Sequence, residues 1–181
     1  MVLCTERLIL RPWQLSDAQA LYTYAKDERV ALAAGWPPHQ SVEESLNIIQ
    51  TIFMRDEVYA VTLKEDDRPI GLVGLSMPAD SHLPLGDNDA EISFWLGAPY
   101  WGKGLIPEAV RELIRHSFVN LKLANLWSCY FDNNLQSKAV QEKCGLTYYG
   151  TLAPTYNELL GETKIEEISR ITYAEWLAMK K

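Results

Sequence analysis

The chain has 181 residues, a length that fits one domain or at most two small ones. Hydrophobic residues make up 48% and charged residues 23%, which is typical of a globular protein and argues against a disordered chain. Acidic side chains outnumber basic ones by 24 to 17, giving a net charge of −7. This balance disfavours a general binder of nucleic acids or anionic membranes, because both need basic surface to neutralise phosphates.

The hydrophobic pattern predicts strands and helices that alternate along the chain. Capping-box spacing predicts helices that begin at Ser16, with Gln19, and at Ser41, with Glu44. The strongest amphipathic helix is expected over residues 107–121, and a short one over 134–144. Strands are expected at residues 5–12, 58–63, 70–75, 90–96, 126–131, 146–151 and 165–173.

Cysteine usage and targeting signals agree with a cytoplasmic protein. Cys4, Cys129 and Cys144 lie far apart without a C-x-x-C pair, which predicts reduced thiols and neither a disulfide frame nor a zinc site. The first residues show no secretory signal, and no apolar run approaches the length of a membrane span. The histidines stand apart in the sequence, so each is interpreted as a surface or core residue, and no metal is expected.

Residues 100–104, Tyr-Trp-Gly-Lys-Gly, follow a predicted strand and open into the strongest predicted helix. A strand, a glycine turn and a helix N-terminus can bind a phosphate through backbone N–H groups. Gly102 and Gly104 let the main chain approach an anion, and Lys103 adds a mobile positive charge. The dinucleotide fingerprint is absent, because its third glycine would fall at Pro107. A tight turn without a ligand remains the alternative.

Five separated motifs occur in one order along the chain. They are T-E-R-L-I-L-R-P from residue 5, W-P at residue 36, I-G-L-V-G-L from residue 70, A-E-I-S-F-W-L before Y-W-G-K-G, and N-L-Q-S-K-A-V-Q-E-K-C-G-L from residue 134. This order resembles the GNAT superfamily of acyl-CoA-dependent N-acyltransferases, specifically the RimJ/RimL-like branch, which acetylates protein N-termini or small amines. The resemblance covers residues 5–176 and implies a single domain over that range.

The resemblance implies a mixed α/β fold and a place for acetyl-CoA. The expected sheet is twisted and mostly antiparallel, with about six to seven strands, about four to five flanking helices and a splay between the fourth and fifth strands. The pantetheine arm enters that splay, and the pyrophosphate sits on the glycine turn. Pro99 stands where the family has Arg or Gln, so backbone amides and Lys103 must carry the phosphates. The residues implied in cofactor binding are Phe94, Trp95, Leu96, Trp101, Gly102, Lys103, Gly104, Leu105, Asn134 and Ser137.

The chemistry of amine acetylation needs a proton acceptor, because an alkyl amine is almost wholly protonated at neutral pH. Glu91 matches a position that some family members use as the general base; its alternative is a solvated or sheet-edge glutamate. The family's usual tyrosine acid is replaced by Gln141, which leaves the Ser137 hydroxyl or water to protonate the thiolate. Ser137 is otherwise a residue of the first helical turn.

The acceptor is less determined than the donor. Glu91, Trp36 and Tyr156 are candidates for the substrate side, although Trp36 can equally pack in the core. We expect a small-molecule amine or a protein N-terminal amine as the substrate, with neither nucleic acid nor membrane as a partner, and a homodimer stays open. The alternative function is a catalytically reduced GNAT domain that binds acyl-CoA as a sensor or regulatory module.

Overall fold

The structure is a computed structural model that describes residues 1–180. The described chain contains ten strands: β1 Leu3–Cys4, β2 Leu8–Pro12, β3 Val58–Leu63, β4 Asp66–Ser76, β5 Asp89–Leu96, β6 Asn125–Phe131, β7 Thr147–Thr151, β8 Thr155–Asn157, β9 Glu162–Lys164 and β10 Glu166–Thr172. Its six α-helices are α1 Ala18–Ala25, α2 Glu28–Ala34, α3 Val42–Ile48, α4 Leu105–Val119, α5 Leu135–Lys143 and α6 Tyr173–Ala178. A π-helical turn over Ile49–Phe53 continues α3.

Contacts within the chain divide it into two compact units. The first unit holds Met1–Gly74 and Phe94–Glu112, and the second holds Leu75–Ser93 and the chain from Leu113 onward. The strands β4 and β5 and the helix α4 each run from one unit into the other.

In the first unit, antiparallel pairing joins β1 to β2, β2 to β3 and β3 to β4. The helices α1 and α2 bury small and branched side chains against this sheet. The core of the unit consists of Trp13, Ala18, Leu21, Ala25, Val30, Ile49, Val58, Ala60, Leu72 and Trp95.

In the second unit, β5 and β6 pair in parallel, and β10 pairs antiparallel with both β6 and β7. The backbone partners of β5 and β6 run from Asp89 opposite Asn125 to Glu91 opposite Trp127. At the next position the Ser128 hydroxyl donates to the Ile92 carbonyl oxygen at 2.9 Å. The Ser128 side chain thus bridges the two strands one residue beyond the backbone pair of Glu91 and Trp127.

The mixed α/β fold with a mostly antiparallel sheet is confirmed, and the strands β3, β5, β6 and β10 fall within two residues of their predicted bounds. The sheet strands number eight instead of about six to seven, because β1 was missed, and the described helices number six instead of about four to five. The missed helices, α2 and α6, are short. The hairpin β8–β9 lies between the strands expected at residues 146–151 and 165–173, in a segment for which the sequence predicted no strand.

The predicted capping box at Ser16 and Gln19 is wrong. Residues Leu15–Asp17 form a 3-10 turn, and α1 begins only at Ala18. The physical reason is the buried Asp17 carboxylate, which accepts hydrogen bonds from Arg11 at 2.8 and 2.9 Å. This ion pair closes the segment after β2, an arrangement that local spacing does not encode. At α3, in contrast, the Ser41 hydroxyl accepts from the Glu44 amide at 3.1 Å, as predicted.

Candidate functional site

The glycine turn before α4 lies wholly in the first unit. Gly102 and Gly104 have φ angles of +75° and +72°, which L side chains rarely adopt. A Cβ built on Gly102 meets nothing within 4 Å, so the main chain there faces open space. In the described residues, no backbone hydrogen bond uses the N–H groups of Gly102, Lys103 or Gly104. The turn therefore presents open donors beside the positive end of a 15-residue helix.

Two aromatic side chains frame this turn. The Trp101 indole N–H donates to the Leu96 carbonyl oxygen at 2.7 Å, which ties the turn to the end of β5. The Lys103 ammonium lies 5.3 Å from the centre of the Tyr100 ring, a cation–π distance. Lys103 is exposed and Leu105 is buried at the start of α4. A mobile cation and a fixed loop are suited to a polyphosphate.

An ion pair between Arg7 and Glu108, which the sequence did not reveal, contacts the backbone of the glycine turn. The Arg7 guanidinium donates to the Lys103 carbonyl oxygen at 3.0 Å and to the Glu108 carboxylate at 2.7 Å. The Arg7 main-chain N–H and the Thr5 hydroxyl also donate to Glu108. Burial alone would raise the pKa of Glu108, but these hydrogen bonds and the Arg7 charge lower it below its usual range. No local motif joins residues about a hundred positions apart.

The end of β5 approaches β4 closely. The Gly97 N–H donates to the Ile70 carbonyl oxygen at 2.8 Å, and a Cβ on Gly71 would lie 2.4 Å from the Trp95 carbonyl oxygen. Trp95 and Leu96 are buried, whereas Phe94 is half-buried. The Leu96 carbonyl oxygen is already engaged by Trp101. Backbone pairing of Phe94, Trp95 and Leu96 with pantetheine stays a prediction.

Trp36 is half-buried and packs in the first unit. Its ring centre lies 6.4 Å from that of Trp95, edge to face, and 5.1 Å from that of His39. The buried Trp95 and Trp13 indole N–H groups have no hydrogen-bond partner among the described residues. The packing alternative for Trp36 is thus realised, and a role in substrate binding stays a prediction.

Glu91 lies on β5 in the second unit with its side chain only 13% exposed. The Ser81 hydroxyl donates to its Oε2 at 2.6 Å, and the same Ser81 oxygen accepts from the Leu83 N–H at 3.0 Å. These contacts fix the carboxylate, so Glu91 is not the solvated glutamate of the alternative interpretation. A largely buried, oriented carboxylate can accept a proton, and its role as the base stays a prediction.

His82 is not the isolated histidine that sequence spacing suggested. Its Nδ1 lies 3.8 Å from Glu91 Oε2, and its Nε2 is 2.9 Å from Glu166 Oε2. The hydrogen bond to Glu166 raises the pKa of His82. Nearby, burial raises the pKa of the Cys129 thiol, and the negative charges of Glu91 and Glu166 raise it further. The second unit thus gathers two carboxylates, an imidazole and a thiol.

Asn134, Ser137 and Gln141 come together at the start of α5. Asn134 is the N-cap residue of the helix, and its side-chain oxygen accepts from the Ser137 N–H at 3.0 Å. The buried Gln141 amide donates to the Ser137 hydroxyl oxygen at 3.3 Å and to the Cys129 carbonyl oxygen at 3.2 Å. Because the Ser137 oxygen accepts from Gln141, its O–H can be donated elsewhere. Gln141 thus holds the Ser137 side chain through a hydrogen bond, and the catalytic role of Ser137 stays a prediction.

Tyr156 lies on β8 and is 61% exposed. In the described part of the chain, its strand pairs with β9 alone, in a two-stranded sheet. The described contacts do not bring Tyr156 together with Glu91, and its substrate role stays a prediction. Separately, no helix in the described residues is long and apolar enough to cross a membrane.

The geometry defines a mixed α/β protein with a glycine turn at a helix start, and comparisons with known proteins give its family. A model described as the acetyltransferase (GNAT) domain matches residues 7–147. The uncharacterized N-acetyltransferase p20 of Bacillus licheniformis is 34% identical over 126 residues, which cover 67% of this chain and 68% of that protein. The chain belongs to the GNAT acetyltransferase family, and it is an N-acetyltransferase.

Solved structures agree on the fold. The crystal structure of a GNAT-family acetyltransferase from Bacillus anthracis matches with a TM-score of 0.82 at 22% identity, covering 95% of this chain and 98% of that one. The microcin C7 self-immunity acetyltransferase MccE, solved in complex with acetyl-CoA and AMP, matches with a TM-score of 0.74 at 19% identity. The MccE match covers 92% of this chain and 93% of that one. Both matches thus extend over most of the chain, which supports one fold over that range.

Proposed function

We propose that the chain transfers an acetyl group from acetyl-CoA to a primary amine by direct attack in a ternary complex. The observation that carries the proposal is the glycine turn, where the N–H groups of residues 102–104 stand open at the start of α4. The MccE complex with acetyl-CoA supports the choice of acyl donor. In this proposal the phosphates bind the turn and Lys103, while Trp101 and Leu105 hold the turn in place.

The reaction forms a C–N bond and breaks a thioester C–S bond. The amine nitrogen attacks the acetyl carbonyl carbon, and the proton it loses passes to Glu91, directly or through a water. The sulfur leaves with the electron pair of the C–S bond and takes a proton from water, either directly or through the Ser137 hydroxyl, which passes its proton to the sulfur and regains one from water. A thiol has a pKa near 8.5, so the thiolate needs little help in leaving, which fits Gln141 in place of the usual tyrosine.

The acceptor is an amine of either of two kinds, a protein N-terminus or a small molecule. The RimJ/RimL-like motifs favour this pair of substrate classes. The chain is also similar to the FsC-acetyl coenzyme A-N(2)-transacetylase of Aspergillus fumigatus, at 34% identity over 92 residues that cover 50% of this chain and 39% of that protein. Trp36 and Tyr156 are the proposed acceptor contacts besides Glu91. We place the activity in the cytoplasm, where three free cysteines stay reduced, in a monomer or a homodimer.

Substitution of Gly102 tests the donor side. Gly102→Val adds both a strained φ and branched bulk in the open space of the turn, so we expect the Kd for CoA to rise at least about tenfold, or roughly 1.4 kcal/mol. Gly161→Val is the matched control, because Gly161 also has a positive φ, +69°, but lies between β8 and β9. Calorimetric titration with CoA measures both. Unchanged CoA affinity in a folded Gly102→Val protein would remove the turn from the binding site.

Turnover separates the enzyme from the sensor alternative. Wild-type protein with acetyl-CoA and a panel of amines and basic N-terminal peptides should release free thiol above the blank. Glu91→Gln should lower kcat at least roughly a hundredfold with CoA affinity retained, since general-base catalysis is typically worth that much. Bound CoA without turnover on any acceptor would instead favour the sensor.

A further inference from the structure

Three potential metal ligands meet in the second unit from three separate elements. His82 comes from the segment between β4 and β5, Glu91 from β5 and Cys129 from β6. One ligand atom from each lies within 4.8 Å of the other two. The parallel pair Glu91 and Trp127 explains the meeting, because Cys129 is two residues past Trp127 and so lies on the same face of its strand. This set is called the His82–Glu91–Cys129 cluster below.

The donor chemistry of the cluster is that of a transition-metal site. One imidazole nitrogen, one thiolate and one carboxylate are ligands that Zn²⁺ and Co²⁺ accept in tetrahedral sites with an open fourth position. Ligand atoms around such an ion stand roughly 3.3–3.8 Å apart, given bond lengths of about 2.0–2.3 Å, so the cluster must contract by about an ångström. His82 Nδ1 and Glu91 Oε2 are already 3.8 Å apart.

The surroundings orient the histidine for this role. The Nε2 of His82 is hydrogen-bonded to Glu166 Oε2 at 2.9 Å, which directs Nδ1 towards Glu91. Histidines that bind metals commonly donate their other ring N–H to a carboxylate in this way. Two carboxylates beside a half-buried thiol also repel one another, and a divalent cation would relieve that repulsion. The His82 side chain is 54% exposed. Solvent can therefore reach the cluster and supply a fourth ligand.

We propose that the His82–Glu91–Cys129 cluster binds one divalent transition-metal ion of the Zn²⁺ class, with Glu166 as the outer partner of His82. A metal ion coordinated by the Glu91 carboxylate occupies the oxygen lone pair that must accept the proton of the amine in the proposed reaction. The ion therefore acts as an inhibitor and not as a cofactor, a consequence that rests on the proposed function. The binding itself does not rest on it.

Titration of the apo protein with Co²⁺ tests binding without any assay of activity. A thiolate bound to Co²⁺ gives a near-ultraviolet charge-transfer band, which we expect to saturate at one equivalent and to vanish on addition of Zn²⁺. Cys129→Ser should abolish the band. Cys4→Ser is the matched control and should keep it, because Cys4 is an exposed cysteine on β1. Circular dichroism confirms that each variant is folded.

The outer partner provides a second test. Glu166→Gln should weaken Zn²⁺ binding about 10–100-fold while keeping the charge-transfer band at saturating Co²⁺, as expected for a residue that orients a ligand. A wild-type protein without a thiolate band, or a band that survives in folded Cys129→Ser, would overturn the proposal. An unchanged Zn²⁺ affinity in Glu166→Gln would overturn the role of Glu166.

Inhibition is measured last and separately. One equivalent of Zn²⁺ should suppress acetylation by the wild type, and Cys129→Ser should resist the same concentration relative to its own metal-free rate. If the protein acetylates no amine, the proposed function fails while the Co²⁺ spectra still decide the metal site. If acetylation is normal and the spectra show no thiolate, the metal site alone fails.

Discussion

Arg7 shows how one side chain can set the shape of a loop that it does not belong to. Its guanidinium spans the Lys103 carbonyl oxygen and the Glu108 carboxylate, and Thr5 reaches the same carboxylate. The planar fork of arginine directs separate N–H groups to the two acceptors in a fixed geometry, which the compact ammonium group of lysine lacks. The backbone of the glycine turn is thus held at Lys103 by a residue from the start of the chain.

Removal of Arg7 should therefore weaken CoA binding. We expect Arg7→Ala to raise the Kd for CoA roughly tenfold, corresponding to about 1.4 kcal/mol, by loosening the turn. Arg7→Lys should fall between the wild type and Arg7→Ala, since it keeps the charge and loses the fork. Calorimetric titration with CoA compares the three. Equal affinities would show that the turn holds its shape unaided.

At the scale of elements, β4 and the end of β5 depend on glycine for their spacing. The Cβ of an alanine at position 71 would lie 2.4 Å from the Trp95 carbonyl oxygen, a distance that real Cβ atoms essentially never show. Backbone cannot give way as a flexible side chain can, so the two strands must separate. The end of β5 would shift as well. Leu96 lies there, and its carbonyl oxygen accepts the hydrogen bond from the Trp101 indole.

We expect Gly71→Ala to lower the free energy of unfolding by about 1–3 kcal/mol, the range of overpacked cores. Gly74→Ala on the same strand is the matched control, because its Cβ would have the Val58 side chain at 3.4 Å as its nearest neighbour. Urea denaturation followed by circular dichroism gives both values. A Gly71→Ala protein no less stable than Gly74→Ala would contradict the close approach.

At the scale of the whole molecule, the acidic balance coexists with a local anion site. The net charge is −7, yet the glycine turn offers main-chain N–H groups and a helix end, which do not enter the count of charged residues.

Several carboxylates are held ionised by arginine or backbone partners. Hydrogen bonds to Arg29 lower the pKa of Asp27, and those to Arg68 lower the pKa of Asp66.

Acid should destabilise the molecule through such carboxylates, with Glu108 the most enclosed among those with a lowered pKa. Its folded pKa lies below the ordinary value of 4.5, so its stabilisation is complete above that pH and disappears as the pH falls through the folded pKa. We expect Tm to drop between about pH 5 and pH 3, and to drop less in Glu108→Gln, which starts lower at neutral pH. Parallel curves of Tm against pH for the wild type and Glu108→Gln would exclude Glu108 as a contributor to the loss of stability in acid.

Local sequence determined the elements whose signals are contiguous. Periodicity located β3, β5, β6 and α4 to within about two residues, and the order Gly-x-Gly before a helix located the turn that the structure leaves open. The same reasoning failed at Ser16, because the Asp17 side chain there bonds to Arg11 and not to the helix.

Only the tertiary structure decided which distant side chains act together. The ion pair of Arg7 with Glu108 joins residues 101 positions apart. The His82–Glu91–Cys129 cluster depends on the parallel register of β5 and β6. Sequence reasoning placed Glu91 correctly on a strand but could not give it Ser81 and His82 as neighbours. Turns and helix ends follow from short-range sterics and hydrogen bonds, whereas register and loop closure are set by the burial of the whole chain.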